Sequence, residues 1–594
     1  YEIGVRLVGS EMCIRDSSTP PRIAEIAKEI EQTGIKGWDG LFWKNQYEAF
    51  QQFFHEKNLA PYFGSIDSLT RAMGDVSFDH QGRRIQGMRM QNTGDVYAVN
   101  GWEAMPYDNH SGIVDIYRNC KGNPSTFTYY TQPLYVAVSP RTQFVHLPGK
   151  VPVDFYIVNE KNLSGKYRLS VSVCTPDGKE GKHIEKEVHI TGGDCFGQLL
   201  LENCQLAIEG ASGLYQVKAQ LRNTSGHLCA EGKDEVLGIY WDEKQLKGKG
   251  ALYGTPDDPV ATFYQKATGC ELPAFRSDME KLDWIVVTRS SLDAPQPVPV
   301  EAFCQKEGKS VLELSLYKDD DLRTLAGVTQ DNKIDRTFAD GAQPDPLLPA
   351  NQSFSAIWDG KLKAPQSGTY MIGVTSDQGM RLSVNGQRIV DEWRNNKELT
   401  VVRPFLLKAG DEVAVRVEYS QRNPTGSVQL VWSLPDHAAI APQELLDRVR
   451  EDGTSLLLLK SAESWMDAVS AYTGSAYHGY YSVGKNWVGG VHFVKEHPLF
   501  NGLPVNVAMG WPYQALVRNG DRRLGLHIDN EELVAGSYSS APFNLGSAVG
   551  IISCGKGKIY YSTLDLVDNL NNPAAAADVA RKLFCNFILL SKDR

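Results

Sequence analysis

The sequence of 594 residues lacks the features that mark several large classes of protein. It has no run of about 20 apolar residues, so no segment is expected to cross a membrane as a helix. No stretch is rich in lysine or arginine, and the net charge of −10 argues against a nucleic-acid partner. The ten cysteines have no CxxC spacing, which disfavours a zinc site, although a bridge between Cys195 and Cys204 stays open. The length predicts about three to five domains.

Residues 1–17 differ in character from the rest of the chain. The run Val-Gly-Ser-Glu-Met-Cys-Ile-Arg-Asp-Ser at 8–17 resembles translated sequencing-adapter DNA. Residues 1–17 are therefore interpreted as an adapter-like artefact, and the natural sequence is expected to start near Ser18.

Residues 18–132 show two helical patterns and then a strand. Apolar residues recur at helical spacing over 23–31 and 46–57, and Ser65 and Ser68 are candidate caps for a further helix. Residues 94–102 have the pattern of a short strand and are followed by a polar loop. This order is typical of the closing units of a (β/α)8 barrel, so the segment is predicted to be the C-terminal part of such a barrel.

Residues 133–243 change to a hydrophobic period of two. Inward-type and outward-type side chains alternate over several short segments, and Pro, Asp, Asn and Gly mark the turns between them. Regularly spaced short strands of this kind predict an immunoglobulin-like β-sandwich.

Two separate stretches, 250–329 and 436–594, have an α/β pattern. Continuous apolar runs alternate with helical segments, which predicts a parallel sheet covered by helices on both faces, as in flavodoxin-like folds. The predicted strands are 282–288, 309–314, 455–459, 546–553 and 557–564, and the predicted helices are 300–307, 443–450 and 575–590.

The α/β pattern is interrupted over 334–435 by an all-β segment. Its spaced motifs include Trp-Asp-Gly-Lys-Leu at 358–362, Thr-Ser-Asp-Gln-Gly-Met-Arg-Leu at 375–382 and Leu-Lys-Ala-Gly at 407–410. These motifs closely resemble the anthrax protective-antigen-type domain, a β-sandwich attached to many bacterial glycosidases and adhesins. An insertion of this kind is sterically reasonable because the ends of a domain usually lie close together.

The resemblance implies a site at one loop of this domain. In sugar-binding relatives two adjacent aspartates help to hold calcium, which in turn grips sugar hydroxyls; here the matching residues are Asp377 and Gln378. The amide removes one negative charge, which favours weak calcium binding or none. The alternative is an ordinary turn near a hairpin at Asn385-Gly386. Trp358 and Trp393 are predicted to be core residues rather than sugar platforms.

The run Gly-Trp-Glu-Ala-Met-Pro-Tyr-Asp-Asn-His-Ser-Gly-Ile-Val-Asp at 101–115 resembles the tail of a glycoside hydrolase family 2 catalytic domain. The resemblance implies that Trp102 stacks on a sugar while Glu103, Asp108 and Asn109 hydrogen-bond hydroxyl groups. The alternative is that Trp102 packs the barrel top and Asp108-Asn109 forms a local turn. In family 2 the reacting carboxylates come from earlier barrel strands, so they are expected upstream of residue 18, and no catalytic residue is assigned here.

The α/β region resembles a glutamine-amidotransferase-like domain at 497–504 and 555–559. A working amidotransferase needs a cysteine where a strand turns into a helix. The chain has Lys460-Ser461 after the strand at 455–459, so this domain is interpreted as structural or carbohydrate-facing.

Together these resemblances imply the C-terminal fragment of a β-galactosidase-like family 2 β-glycosidase that hydrolyses O-glycosyl bonds, the fragment itself being inactive. The alternative is a non-catalytic carbohydrate-binding or scaffold protein. The expected partner is an oligo- or polysaccharide, and no cofactor is expected apart from the calcium alternative. The resemblance implies a periplasmic or extracellular location in a bacterium, with a signal peptide that is not part of this chain.

Overall fold

The protein is described by a computed structural model. The described residues are 22–34, 38–92, 113–114, 118–246, 248–255, 257–290, 296–306, 309–310, 312–434, 442–482, 490–517, 524–539 and 544–591. The chain divides into two compact units. The host unit comprises Tyr1–Arg289 and Pro442–Arg594, and the inserted unit comprises Ser290–Ala441.

The host unit begins with a helical layer. Its helices are Ile23–Thr33 (α1), Trp38–Glu56 (α2), Ala60–Phe63 (α3), Ile66–Met90 (α4) and Pro124–Tyr130 (α5). Of the two candidate caps Ser65 is confirmed and Ser68 is not, since the Ser65 side chain accepts a hydrogen bond from the backbone N–H of Ser68 at the start of α4.

The described part of the helical layer packs against a sheet of the host unit. The apolar faces of α1 to α4 share one core with Phe493 and Tyr538, which belong to that sheet of the host unit. Phe50 and Phe63 make ring contacts with Tyr538 and Phe493 respectively. The strand predicted at 94–102 lies outside the described residues, so the barrel stays a prediction.

A two-sheet β-sandwich follows. Its strands are Leu134–Pro140 (β1), Phe144–His146 (β2), Gly149–Asn159 (β3), Gly165–Cys174 (β4), Ile184–Ile190 (β5), Gly197–Ile208 (β6), Gly213–Arg222 (β7) and Leu228–Ile239 (β8). One sheet has the order β1-β3-β6 and the other β2-β8-β7-β4-β5. Side chains of β7 alternate between buried and half-buried positions, as the period of two predicts. Cys195 and Cys204 are free thiols, so the bridge left open between them is not formed.

Two polar clusters join the elements of the host unit. Arg83 of α4 contacts the carboxylate of Asp234 on β8 at 2.6 Å, and it also contacts Asp79 one helical turn away at 3.0 Å. Near β7, the hydroxyl of Tyr215 donates to the carbonyl oxygens of Glu209 at 3.0 Å and Ala211 at 2.7 Å. These contacts fix α4 on the sandwich and fix the corner that precedes β7.

The α/β part of the host unit starts with Gly250–Tyr253 (β9), Pro259–Thr268 (α6) and Trp284–Val287 (β10). Strand β10 is completely buried, as its apolar run predicts. The Asp258 side chain caps α6 by accepting from the N–H of Val260 at 2.8 Å.

The inserted unit is all β. Its strands are Gln296–Pro297 (β11), Gln305–Lys306 (β12), Lys309–Ser310 (β13), Leu312–Tyr317 (β14), Leu325–Asp331 (β15), Asp335–Phe338 (β16), Phe354–Lys363 (β17), Gly368–Ser376 (β18), Gly379–Val384 (β19), Gln387–Glu392 (β20), Leu399–Leu407 (β21), Glu412–Gln421 (β22) and Gly426–Ser433 (β23). Six strands form the sheet β15-β14-β17-β22-β19-β20. Five form a second sheet, β11-β23-β18-β21 with β16 beside β23.

The two sheets of the inserted unit enclose one apolar core that includes Trp358, Tyr370, Tyr419 and Trp432. Its first and last strands are neighbours, since Gln296 of β11 is the partner of Trp432 on β23. Both ends of the unit therefore lie within about one strand spacing of each other. The predicted hairpin between β19 and β20 is confirmed, with Asn385 at φ 48° and Gly386 at φ 79°.

One sheet assignment and one element prediction for the α/β region were wrong. The strand predicted at 309–314 corresponds mainly to β14, which pairs with β15 and β17 of the inserted unit rather than with the host sheet. The helix predicted at 300–307 is a single 3₁₀ turn, Val300–Ala302, followed by β12. The local apolar pattern of β14 is compatible with either sheet, and its long-range partners decide between them.

The chain then completes the host sheet. The helices are Pro442–Asp447 (α7), Met466–Thr473 (α8), Gln514–Val517 (α9), Leu566–Asn569 (α10) and Asp578–Leu590 (α11). The strands are Ser455–Leu458 (β24), Tyr477–Ser482 (β25), Gly490–Val494 (β26), Val507–Ala508 (β27), Leu524–Ile528 (β28), Glu532–Ser539 (β29), Asn544–Cys554 (β30) and Gly557–Ser562 (β31).

The host sheet is only partly parallel. Its main order is β27-β26-β29-β30-β31-β24-β10-β9, and β9, β10, β24 and β31 run parallel to one another. The strands from β30 outward pair antiparallel, which corrects the prediction of a parallel sheet throughout. Helix α11 is buried along most of its length against this sheet.

A buried ion pair connects the end of α2 to the host sheet. The Lys57 ammonium contacts the Glu531 carboxylate at 2.8 Å, and the two side chains are 10% and 0% exposed. Glu531 also accepts hydrogen bonds from the hydroxyl groups of Ser547 and Tyr561. Among the helices of the described segments, none is both long enough and apolar enough to span a membrane.

Candidate functional site

A cavity of about 470 Å³ lies where four loops of the inserted unit meet. The loops follow β14, β18, β20 and β22, and this cavity is called the loop cleft here. Its lining combines one aromatic ring with carboxylate, amide and guanidinium groups: Asp320, Asp321, Gln378, Trp393, Arg394, Asn395, Asn396, Arg422 and Asn423.

Arg422 lies in the loop after β22 and contacts each of the other three loops. Its Nε contacts the Asp320 carboxylate at 3.0 Å, and its Nη1 donates to the carbonyl oxygen of Trp393 at 2.8 Å. Its backbone N–H donates to the side-chain oxygen of Gln378 at 3.3 Å. The guanidinium and the Asp320 carboxylate therefore stand side by side in the cleft, 32% and 42% exposed.

The loop after β14 is folded around the carboxylate of Asp319. Its two oxygens accept from the backbone N–H groups of Asp321, Arg323 and Thr324 at 3.0, 2.9 and 2.7 Å. These hydrogen bonds, the one from Arg323 first, lower the pKa of Asp319 to about 2. The hydroxyl of Ser420 binds the carbonyl oxygen of Asp320 at 2.8 Å, which fixes the loop on β22.

Trp393 is held at the cleft by its edge and by one face. Its indole N–H donates to the Asp321 carboxylate at 3.2 Å, and this bond, with the nearby Arg323 guanidinium, lowers the pKa of Asp321. The guanidinium of Arg381 lies over the ring, 4.3 Å from its centroid. The absence of a side chain at Gly379 lets the Trp393 backbone lie close to β19, because a Cβ at Gly379 would meet the Trp393 carbonyl oxygen at 2.3 Å.

Asp377 and Gln378 hold the loop that follows β22. One Asp377 oxygen accepts from the backbone N–H of Ser427 at 2.7 Å. The buried Gln378 side chain donates to the carbonyl oxygen of Thr425 at 3.1 Å and accepts from Arg422. Gln378 therefore satisfies backbone groups of the neighbouring loop, and Asp377 satisfies one at the start of β23.

This donor set does not fit the calcium ion that the resemblance implies. Calcium takes about six to eight oxygen ligands, and protein sites commonly supply several carboxylates. Within the described ranges, no group of three or more His, Cys, Asp or Glu side chains is placed to hold a metal ion. Asp377, the one predicted metal ligand, has one oxygen bound to a backbone N–H, and Gln378 beside it carries no charge.

The outcome for the other predicted residues is mixed. Trp102, Glu103, Asp108 and Asn109 lie outside the described residues, so their sugar contacts stay predictions. Trp358 is 1% exposed and is confirmed as a core residue.

Trp393, also predicted to be core, instead lines the loop cleft, which corrects that prediction. The sequence reasoning missed Asp320, Asp321 and Arg422 as well. The acidic run at 319–321 was a signal, but it lay in a segment assigned to the α/β region.

Residues 308–445 match the PA14 domain. This match starts before residue 334, where the domain was predicted to begin, and it includes β14 and β15, as the sheet order requires. The loop cleft therefore belongs to a PA14 domain that is inserted in the sequence of the host unit.

The chain is also similar over part of its length to a curated protein, the anti-sigma-I factor RsgI3 of Acetivibrio thermocellus. The identity is 29% over 117 residues, which is 20% of this chain and 18% of that protein. The match therefore spans about a fifth of the length of that relative.

Solved structures with partial similarity include a β-glucosidase from Kluyveromyces marxianus, at 15% identity over 37% of this chain and 29% of that one, with a TM-score of 0.21. The PA14 sugar-binding domain of an RTX adhesin is 19% identical over 20% of this chain and 87% of that one, with a TM-score of 0.17. The Epa9A domain of Candida glabrata, solved with Galb1-4GlcNAc, is 11% identical over 24% of this chain and 90% of that one, with a TM-score of 0.18. At such TM-scores these similarities assign no function to this chain.

Proposed function

We propose that this chain is a carbohydrate-binding part of a glycan-degrading protein and that its PA14 domain binds sugar in the loop cleft. The observation that carries the proposal is the chemistry of the cleft lining. Hydroxyl groups of a sugar pair with planar carboxylate, amide and guanidinium groups, and its C–H face packs on an aromatic ring. Asp320, Arg422, Asn395 and Trp393 supply these groups in one cavity of about 470 Å³.

Binding of the full chain to an array of oligosaccharides tests this proposal. We expect binding to a defined subset of glycans and a loss of binding in a Trp393→Ala variant. Tyr480→Ala is the matched control, because it removes an aromatic ring of the host unit that is 46% exposed and lies outside the cleft lining. Unchanged binding by the Trp393→Ala variant would show that the cleft is not the site.

The finer proposal is that the parent protein is a family 2 β-glycosidase with β-galactosidase-like specificity. It is supported by the run at 101–115 and by the presence of a PA14 domain. Trp102 is proposed to stack on the sugar, with Glu103, Asp108 and Asn109 as hydrogen-bonding partners. The chain as given is proposed to lack turnover, and release of nitrophenol from any aryl glycoside by the purified protein would refute this.

Two domain assignments support that proposal. The sandwich is interpreted as immunoglobulin-like because Tyr215 near the start of β7 donates to backbone carbonyls a few residues upstream, as tyrosines do at the corner of such folds. The α/β part is interpreted as amidotransferase-like without amidotransferase chemistry. Ser461, with a left-handed φ of 52°, lies between β24 and the turn that precedes α8, and amidotransferase chemistry would need a cysteine at such a strand-to-helix turn.

The expected location follows from the proposed substrate. Polymeric glycans are degraded outside the cytoplasm, so a periplasmic or extracellular location is proposed. Fractionation of cells that express the complete gene, with antibodies against the PA14 domain, tests this; recovery only from the cytoplasm would contradict it.

A further inference from the structure

The guanidinium of Arg422 occupies the loop cleft in a defined orientation. It is paired with Asp320 through Nε and tied to the carbonyl oxygen of Trp393 through Nη1. In the described part of the chain, its Nη2 and the second oxygen of Asp320 have no hydrogen-bond partner. A donor and an acceptor thus stand next to each other in a cavity, which is the arrangement that two neighbouring hydroxyl groups require.

The same guanidinium opposes a metal ion in the cleft. A fixed positive charge raises the energy of a second cation in the same cavity, most strongly where water is partly excluded. The three carboxylates of the loop after β14 are already engaged. Asp319 binds backbone N–H groups, Asp320 binds Arg422, and Asp321 binds Trp393 and Arg323.

The charges of the lining balance. Asp320 and Asp321 contribute two negative charges, and Arg394 and Arg422 contribute two positive charges. An acidic sugar would face the two carboxylates without a net positive field to compensate for them. The balance therefore favours a neutral saccharide.

Resting on the proposed function, we propose that the loop cleft binds a neutral saccharide without calcium, and that Arg422 and Asp320 together hold two adjacent sugar hydroxyls. Arg422 takes the role that a bound cation would otherwise have, because it supplies the positive charge that attracts hydroxyl oxygens. Asp320 orients the guanidinium and accepts a hydrogen bond from a sugar hydroxyl. Asp377 then has a structural role only, at the backbone of Ser427.

The test measures binding of the full chain to an array of neutral and acidic oligosaccharides, once with calcium and once with excess EDTA. We expect equal binding to neutral glycans under both conditions. Binding in calcium alone would overturn this inference and leave the proposed function standing. Binding under neither condition would overturn the proposed function itself, and preference for acidic glycans would overturn the neutral class.

Variants separate the role of Arg422 from that of a metal site. Arg422→Gln should lower affinity about 10- to 100-fold, because a charged hydrogen-bonding partner is lost. Arg422→Lys, which keeps the charge and loses the planar fork, should also bind more weakly. Arg403→Gln is the matched control, since Arg403 is exposed on β21 and is not part of the cleft lining; among the described residues its guanidinium donates to the carbonyl oxygen of Val402.

The Asp377→Asn variant distinguishes a structural role of Asp377 from a role as a calcium ligand, because the two roles predict different sugar affinities. The variant keeps an oxygen for the N–H of Ser427 and removes the charge, so metal-free binding should be unchanged, whereas a calcium site would lose affinity. Circular dichroism and the thermal midpoint of each variant check its folding. Unchanged affinity in well-folded Arg422→Gln, or lost affinity in Asp377→Asn, would overturn the inference.

Discussion

Asp234 should make the host unit less stable as the pH rises. Its side chain is 5% exposed, and burial raises its pKa from 3.8 to about 6. The guanidinium of Arg83 offsets this only in part, because it is shared with Asp79, whose own charge raises the pKa of Asp234 further. The folded state therefore binds the Asp234 proton more tightly than the unfolded state does.

The sign and size of the effect follow from linkage. Between pH 4 and pH 6 folding takes up a proton at Asp234, so the free energy of unfolding falls as the pH rises through this window. A difference of about 2 pKa units at 1.36 kcal/mol per unit gives about 3 kcal/mol. The penalty is complete above pH 6 and absent below pH 4.

The assay compares the wild type with the Asp234→Asn variant, which carries no titrating group at this position. Urea unfolding of both proteins between pH 4 and pH 7 gives a stability difference in which the other carboxylates cancel. As the pH rises across this range, we expect the free energy of unfolding of the variant to increase by about 3 kcal/mol relative to that of the wild type. Asp278→Asn, which removes an exposed pair with Arg276, is a control that should change little. If the wild type instead became more stable relative to Asp234→Asn as the pH rose, the ion pair with Arg83 would outweigh the effect of burial, and the reasoning would be wrong.

Three further changes test other contacts of the host unit by urea unfolding. Glu531→Gln leaves the buried Lys57 ammonium without its counter-charge and should cost about 3–5 kcal/mol, most of which a second change, Lys57→Met, should restore. A loss below about 1 kcal/mol would mean that water reaches the pair. Tyr215→Phe removes both hydrogen bonds at the corner before β7 and should cost about 1–3 kcal/mol; an unchanged midpoint would show that the corner is held by packing. Ser65→Ala removes the cap of α4 and should cost about 0.5–2 kcal/mol, whereas Ser65→Asp should retain stability.

Local sequence patterns predicted the positions of helices and strands in this chain better than they predicted which strands pair with each other. The apolar runs of β10 and β24, the helical spacing of α2 and the cap at Ser65 were recognisable because each depends on neighbouring residues alone. The pattern of β14 was equally clear, but its sheet was not, since strand partners are set by contacts across the whole unit.

The loop cleft shows the same limit at the level of a site. Its residues come from four loops between 320 and 423, and no short motif connects them. Asp377 was found through a family motif, yet the structure gives it a bond to a backbone N–H. Trp393 was predicted to be a core residue rather than a sugar platform. Its position is set by Gly379 and Arg381, and neither residue marks a cleft in the sequence.

The insertion point of the PA14 domain imposes an order on synthesis of the chain. Trp284 of β10 pairs with Ser455 of β24, so about 170 residues must leave the ribosome before that strand edge is covered. At roughly 5–20 residues per second this interval lasts about 10–30 s. During this interval the four apolar residues of β10, which are fully buried in the folded protein, lack their partner strand β24. Because the two ends of the inserted unit lie side by side, early folding of that unit would bring β10 and β24 together and shorten the time during which a nascent chain is prone to aggregate.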